Sequence, residues 1–90
     1  MPEYLLELYV ARADAPAVDQ GAARVRRAAE EYSREGTPIR YLRSIFVPED
    51  ETCFLLFDAV DAASVQEALV RAGLPYERIT DAVTASGAGR

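Results

Sequence analysis

Five consecutive apolar residues at positions 53–57, Cys-Phe-Leu-Leu-Phe, constrain the fold of this chain more than any other stretch. Charged residues bracket the run, with Glu49, Asp50 and Glu51 before it and Asp58 after it. Successive side chains of a β-strand point to opposite faces of the sheet. A strand that is apolar at every position therefore needs cover on both faces. The run predicts a central strand, and the remaining residues must supply that cover.

Hydrophobic periodicity divides the rest of the chain into further strands and two helices. Strands are predicted over residues 4–10, 39–47, 52–58 and 76–83, with a short acidic turn between the second and third. After a loop at 13–16, helices are predicted over residues 16–35 and 61–72. Each helix is followed by a glycine, Gly36 or Gly73, of the kind that ends helices. No linker interrupts the series, so residues 1–83 are expected to form one domain and residues 84–90 a flexible tail.

The order of these elements is βαββαβ, which predicts an α+β fold of the ferredoxin-like type. Crossover connections between parallel strands are right-handed. This rule places the first and third strands at the centre of a four-stranded antiparallel sheet, with both helices on one face. In the first strand the more hydrophobic side is expected to meet the helices, and it consists of Tyr4, Leu6, Leu8 and Val10.

The opposite face of the sheet, which we call the open face, has no helix to cover it. It carries Leu5 and Tyr9 and one alternating set of side chains from the third strand. That set is either Cys53, Leu55 and Phe57 or Phe54 and Leu56, and the sequence leaves both alternatives open. Either set leaves an apolar patch of roughly a few hundred Å², near the upper limit for a soluble monomer. We therefore predict a symmetric homodimer in which two open faces meet.

The net charge of −5 and the absence of histidine narrow the range of functions. Nucleic-acid binding is not expected, since such proteins usually carry a basic surface. The lone cysteine, Cys53, excludes an intrachain disulfide and a cysteine-based zinc site, and we expect a buried core thiol rather than a nucleophile. Glu7 interrupts the apolar residues 4–10, so no membrane span or signal peptide is predicted. A cytoplasmic protein without a cofactor is the expectation.

Polar residues on the open face are the candidates for lining a ligand cleft in the dimer. The candidate set is Glu7, Tyr9, Tyr41, Arg43 and Cys53. Alternation places Glu7 and Tyr9 there, whereas the parity of the strand that carries Tyr41 and Arg43 is ambiguous. A carboxylate beside apolar neighbours can have a raised pKa and transfer protons. The alternative is that Glu7 pairs with an arginine and fixes the strand register. No catalytic residue can be assigned.

Several stretches of the sequence resemble a known bacterial family. They are residues 51–59, 65–68, 71–75 and Ile79, together with residues 4–7 and 41–44. The family consists of small domains of unknown function, labelled nickel-responsive or nickel-binding-like. The resemblance implies a ferredoxin-like cytoplasmic homodimer of actinobacterial type. Members commonly have a histidine in the second helix where this chain has Ala68. Nickel would have to use Glu, Asp, Cys53 or backbone oxygens here, a poor set for a metal that favours imidazole.

Three classes of function remain after these exclusions. The first is a protein that binds a small ligand, or a metal ion, in the dimer cleft. The second is a cofactor-free enzyme such as a monooxygenase, isomerase or cyclase that uses the open face, an interpretation by analogy with other dimers of this fold. The third is a structural interaction module. The first is favoured, and whether the chain is an enzyme stays open.

Overall fold

The computed structural model describes residues 1–83, so the tail predicted over residues 84–90 lies outside the described residues. The main elements are β1 (Glu3–Tyr9), α1 (Val18–Arg34), β2 (Ile39–Val47), β3 (Thr52–Ala59), α2 (Ala62–Ala72) and β4 (Arg78–Ala82). The four strands form one sheet in the order β2-β3-β1-β4, and all neighbours are antiparallel. The predicted α+β ferredoxin-like fold, with the first and third strands at the centre, is confirmed.

The hydrophobic core lies between the sheet and the two helices. Its largest fully buried side chains are Phe57, Leu6, Leu69, Val25 and Val65. In β3 the residues that face this core are Cys53, Leu55, Phe57 and Ala59. The two alternatives left by the sequence are thereby resolved, because Phe54 and Leu56 must then point to the open face.

A β-bulge in β2 changes which face its side chains occupy. Tyr41 pairs with Phe57 and Arg43 pairs with Leu56, so Leu42 is an extra residue opposite β3. Before the bulge, Ile39 and Tyr41 face the helices. After it, Phe46 faces the helices. The open face therefore carries the residues that alternate with Phe46, which are Arg43, Ile45 and Val47.

The helix ends follow the predicted signals, with one difference at the start of α1. Asp61 caps α2 by accepting a hydrogen bond from the Ser64 backbone N–H at 2.9 Å, and the bonds from Ser64 lower the pKa of the Asp61 carboxyl. Gly73 follows α2 with φ +70°, in the left-handed region. The α-helix begins at Val18 rather than at residue 16, and residues 12–17 form a 3₁₀ turn instead of a loop.

Arg71 of α2 links the two helices through a cluster of ion pairs. Its guanidinium contacts both carboxylate oxygens of Glu35, at 2.7 and 2.8 Å, and reaches Glu67 at 3.0 Å and Glu31 at 3.3 Å. It also lies 4.4 Å from the centre of the Tyr32 ring. The hydrogen bond from Arg71 lowers the pKa of Glu35. This cluster holds α1 against α2 above the sheet.

None of the helices within residues 1–83 combines the length and the apolar character needed to cross a bilayer.

Candidate functional site

The open face is built from cross-strand rows of side chains that run across all or part of the sheet. One row contains Arg78, Glu7, Phe54 and Ile45, in the order β4-β1-β3-β2. The adjacent row contains Thr80, Leu5, Leu56 and Arg43. The first row is charged at its β4 and β1 positions and apolar at its β3 and β2 positions. The second row has two leucines between Thr80 at its β4 end and Arg43 at its β2 end. Together the rows form an apolar block of Leu5, Phe54, Leu56 and Ile45.

Two further rows, one of four residues and one of three, lie at the ends of this block. Towards one end lie Ala82, Glu3, Asp58 and Arg40, and Arg40 Nη2 contacts Asp58 Oδ2 at 2.9 Å. Towards the other end lie Tyr9, Thr52 and Val47. Tyr9 is 62% exposed. Charged and hydroxyl-bearing side chains therefore surround the apolar block at both ends.

Glu7 lies beside an arginine, but not beside the one in the predicted set. Its carboxylate Oε1 is 3.4 Å from Nε of Arg78, its partner in β4. The Glu7 side chain is 34% exposed and that of Arg78 is 71% exposed. An ion pair this open to solvent contributes only about 0–1 kcal/mol. The pair therefore holds the carboxylate in place rather than adding much to stability.

Arg78 was the residue that the sequence analysis missed. Alternation along residues 76–83 puts Arg78 and Thr80 on one face of the last strand and Ile79 on the other, and the topology implies that this strand pairs with β1. The register between these strands was the missing information. Given that register, Glu7 and Arg78 face each other directly across the β1–β4 pair.

Arg43 lies on the open face, as predicted, but in a different row from Glu7 and on the far side of β3. The structure thus brings Glu7, Tyr9 and Arg43 to the same face around the apolar block. Their role in binding stays a prediction.

Tyr41 was predicted to share the open face, and that placement is wrong. The bulge at Leu42 leaves Tyr41 on the helix side, where its ring packs edge-on against Phe57 with centroids 5.8 Å apart. Its hydroxyl forms a hydrogen bond with Ser44 Oγ. Because that hydroxyl bonds to a residue of the same strand, Tyr41 supports the fold beside β3.

Cys53 is also on the helix side, so the structure does not bring it to the predicted cleft. It is a free cysteine, and only 3% of it is exposed. Burial raises the pKa of the Cys53 thiol, which keeps the sulfur protonated and weakly reactive. This agrees with the expectation of a core thiol.

Comparison with known proteins identifies the family. A family model described as nickel responsive protein SCO4226-like matches residues 9–81 of this chain. The chain belongs to the SCO4226-like family. The predicted resemblance is therefore confirmed. No protein among the curated ones matches the sequence.

A solved structure has the same fold as this SCO4226-like chain. It is the crystal structure of SCO4226 from Streptomyces coelicolor A3(2), an actinobacterial protein, and the TM-score between the two is 0.71. The superposition covers 93% of this chain and 99% of the other, at 14% sequence identity. At this identity the likeness establishes the fold and carries no residue roles.

The donor set of this SCO4226-like chain does not fit the nickel in the family's description. The sequence contains no histidine, which removes the ligand that nickel prefers. Within residues 1–83 there is no group of three or more His, Cys, Asp or Glu side chains placed to hold a metal ion. Cys53 is buried as a thiol, whereas a metal binds the thiolate. Ala68 lies fully buried in the core and offers no donor.

Proposed function

We propose that this SCO4226-like chain is a cytoplasmic homodimer that binds a small ligand in a cleft between two open sheet faces. The observation that carries the proposal is the apolar block of Leu5, Phe54, Leu56 and Ile45, which neither α1 nor α2 covers, although Leu56 is only 8% exposed. Ile45 is 50% exposed. A single buried thiol without a disulfide partner suits a reducing compartment such as the cytoplasm.

The size of the open face is compatible with a stable dimer. The four strands are five to nine residues long. At about 4.8 Å between strands and about 3.3 Å per residue they give a projected area of roughly 450 Å² per copy. Two copies would then cover about 900 Å², close to the roughly 1,000 Å² expected of a specific interface.

The charges of the open face also favour a second copy as the partner. The strands place three carboxylates there, on Glu3, Glu7 and Asp58, and three guanidiniums, on Arg40, Arg43 and Arg78. This face is therefore electrically balanced, although the whole chain carries a net charge of −5. Two such faces can meet without the repulsion that the net charge would otherwise cause.

The expected ligand has an apolar body and a polar group. The apolar block would contact the body, and Tyr9 or Arg43 at its margins would bind the polar group by hydrogen bonding or charge. The enzyme alternative relied on Glu7 as a proton-transfer group in a desolvated setting. The Glu7 side chain is instead 34% exposed and lies 3.4 Å from Arg78, so it is not in a desolvated setting. Binding is therefore the better supported function.

The dimer is tested by light scattering on two matched variants. Ile45→Arg adds a charge to the exposed part of the apolar block, and Val70→Arg adds the same charge at a 70% exposed valine on α2. Both positions are open enough for the monomer to remain folded. The wild type and Val70→Arg should have twice the 9.9 kDa mass of the chain, and Ile45→Arg should shift towards the monomer. A wild type that is monomeric at micromolar concentration, or an Ile45→Arg dimer of unchanged affinity, refutes the proposed interface.

The ligand is tested by native mass spectrometry of protein purified from its source organism without denaturation. The expected result is a dimer with a small molecule whose mass is lost on unfolding. Arg43→Ala should reduce the fraction of dimers that carry this mass. A dimer without any bound mass, under conditions that retain weak complexes, would instead favour the interaction module.

A further inference from the structure

A cavity of about 290 Å³ opens on the helix side of the sheet, and Tyr9 at the end of β1 borders both this cavity and the open face. Its inner wall comes from the sheet, through Leu8, Cys53 and Leu55. Its outer walls come from the start of α1 and from the loop after α2, with Gly21 on the helix and Leu74 on the loop. We call it the helix-side cavity. We propose that the helix-side cavity binds a small uncharged molecule of one or two rings, at a site separate from the dimer cleft.

The volume of the helix-side cavity determines the size of the ligand. Well-packed cores contain few voids larger than a water molecule. An apolar cavity of about 150 Å³ is large enough to take up benzene. The helix-side cavity has about twice that volume and lies near the lower limit of ordinary small-molecule pockets, which begin at roughly 300 Å³. One ring with a substituent, or two fused rings, would fill it.

The first turns of α1 leave this space open because their side chains are small. Gly21 and Ala22 of α1 line the cavity, as does Ala17, the last residue of the 3₁₀ turn that precedes the helix. A Cβ atom built on Gly21 would lie 3.8 Å from Leu74 Cδ1, an ordinary van der Waals contact. The backbone at Gly21 therefore does not require glycine for lack of space. A larger side chain at this position would extend into the volume that the ligand is proposed to occupy.

The charges around the helix-side cavity favour an uncharged ligand. Asp14 and Arg24 both line the cavity, and both are exposed. Because these two residues carry opposite charges, the wall selects neither a cationic nor an anionic ligand. Cys53 in the inner wall is a buried thiol whose raised pKa keeps it neutral. Most of the remaining lining is aliphatic. An ionised group would lose its hydration there without gaining a partner.

Titration with indole, a neutral two-ring probe, tests this site by amide chemical shifts in heteronuclear NMR spectra. The expected result is a saturable shift centred on Val10, Val18, Cys53 and Leu74. Gly21→Leu should weaken indole binding at least tenfold, because leucine occupies the cavity. Gly21→Ala, which adds only one methyl group, should stay within about threefold of the wild type. Ala17→Phe obstructs the outer wall from an exposed position and provides a second test if Gly21→Leu does not fold.

The dimer variant Ile45→Arg separates this site from the proposed cleft. Indole affinity should be unchanged in Ile45→Arg, because Ile45 lies on the other side of the sheet. A shift centred on Leu5 and Phe54 would place the probe on the open face and overturn the proposal. Binding that does not saturate up to the solubility limit of indole would also overturn it. So would wild-type affinity in a folded Gly21→Leu or in Ala17→Phe.

Discussion

Glu51, between β2 and β3, adopts a left-handed backbone conformation with φ 49° and ψ 41°. Within residues 1–83, every other positive φ belongs to a glycine. The Cβ of an L-residue crowds the following carbonyl oxygen in this region, at a cost of about 1–2 kcal/mol. The surrounding structure holds Glu51 there through three hydrogen bonds. Its N–H donates to Pro48 O at 3.1 Å, its carbonyl accepts from Val10 N–H at 2.9 Å, and carboxylate Oε2 accepts from Arg12 N–H at 2.7 Å.

Substitution of Glu51 by alanine and by glycine separates the strain from the carboxylate bond. Glu51→Ala removes the bond to Arg12 and keeps the strain, so it should lower the free energy of unfolding by about 1–1.5 kcal/mol. Glu51→Gly also removes that bond, but it relieves the strain. Glycine should therefore be about 1 kcal/mol more stable than alanine at this position, which reverses the usual order in which glycine is about 0.5–1 kcal/mol worse.

Urea unfolding of the wild type and the variants at one fixed protein concentration measures these differences. The fixed concentration is needed because a dimer gains stability from association. A difference of about 1 kcal/mol also shifts the melting temperature by about 4–8 °C in a domain of this size. Glu51→Gln keeps an acceptor for the Arg12 N–H and should retain more stability than Glu51→Ala. If alanine is as stable as glycine, the left-handed conformation is not strained and the reasoning fails.

Four further predictions concern the core, the helix pair, a helix end and the metal. Phe57→Ala should cost about 3–5 kcal/mol, because Phe57 is fully buried at the centre of the sheet, and thermal unfolding measures this cost. Arg71→Met should lower stability at neutral pH, and by less in acid. The hydrogen bond from Arg71 lowers the pKa of Glu35, so this carboxylate stabilises the fold above its ordinary pKa of about 4.5 and stops doing so as the pH falls through the lowered value. The gap between the urea midpoints of wild type and variant should narrow as the pH falls from 7 to 3, and a gap of constant size contradicts the assignment. Gly73→Ala should cost about 1 kcal/mol from φ +70° alone, since nothing lies within 4 Å of an added Cβ, and Gly73→Asn should cost less in the same assay. Calorimetric titration with nickel should show no saturable heat, because the chain has no histidine and Cys53 is buried. A stoichiometric heat would refute that inference.

The layer structure of this protein could be predicted from a few local signals. The apolar run at 53–57 predicts a central strand, and β3 is one of the two central strands of the sheet. Gly73 and Asp61 mark the ends of α2 through backbone conformation and capping, which depend only on neighbouring residues. Signals of this kind predict the structure correctly because they depend on neighbouring residues, and no distant contact overrides them.

The candidate site was less predictable, because it depends on register between strands that are distant in sequence. Tyr41 and Arg43 have the same parity in β2, and strict alternation would place them together. The bulge at Leu42 puts the two side chains on opposite faces of the sheet, and no turn residue in the sequence indicates that bulge. The contact between Glu7 and Arg78 likewise depends on the register in which β4 pairs with β1. Each of these facts is decided by packing across the whole sheet.

The position of the bulge follows from the cost of burying Arg43. Without an extra residue, the alternation that puts Ile39 and Tyr41 on the helix side would also put Arg43 there, and an unpaired guanidinium is expensive in a core. With Leu42 inserted opposite β3, Tyr41 keeps its contact with Phe57 while Arg43 turns to the open face. Ile45 follows Arg43 to the same face and extends the apolar block there. The irregularity that keeps a charge out of the core thus also enlarges the surface that we propose to meet a second copy.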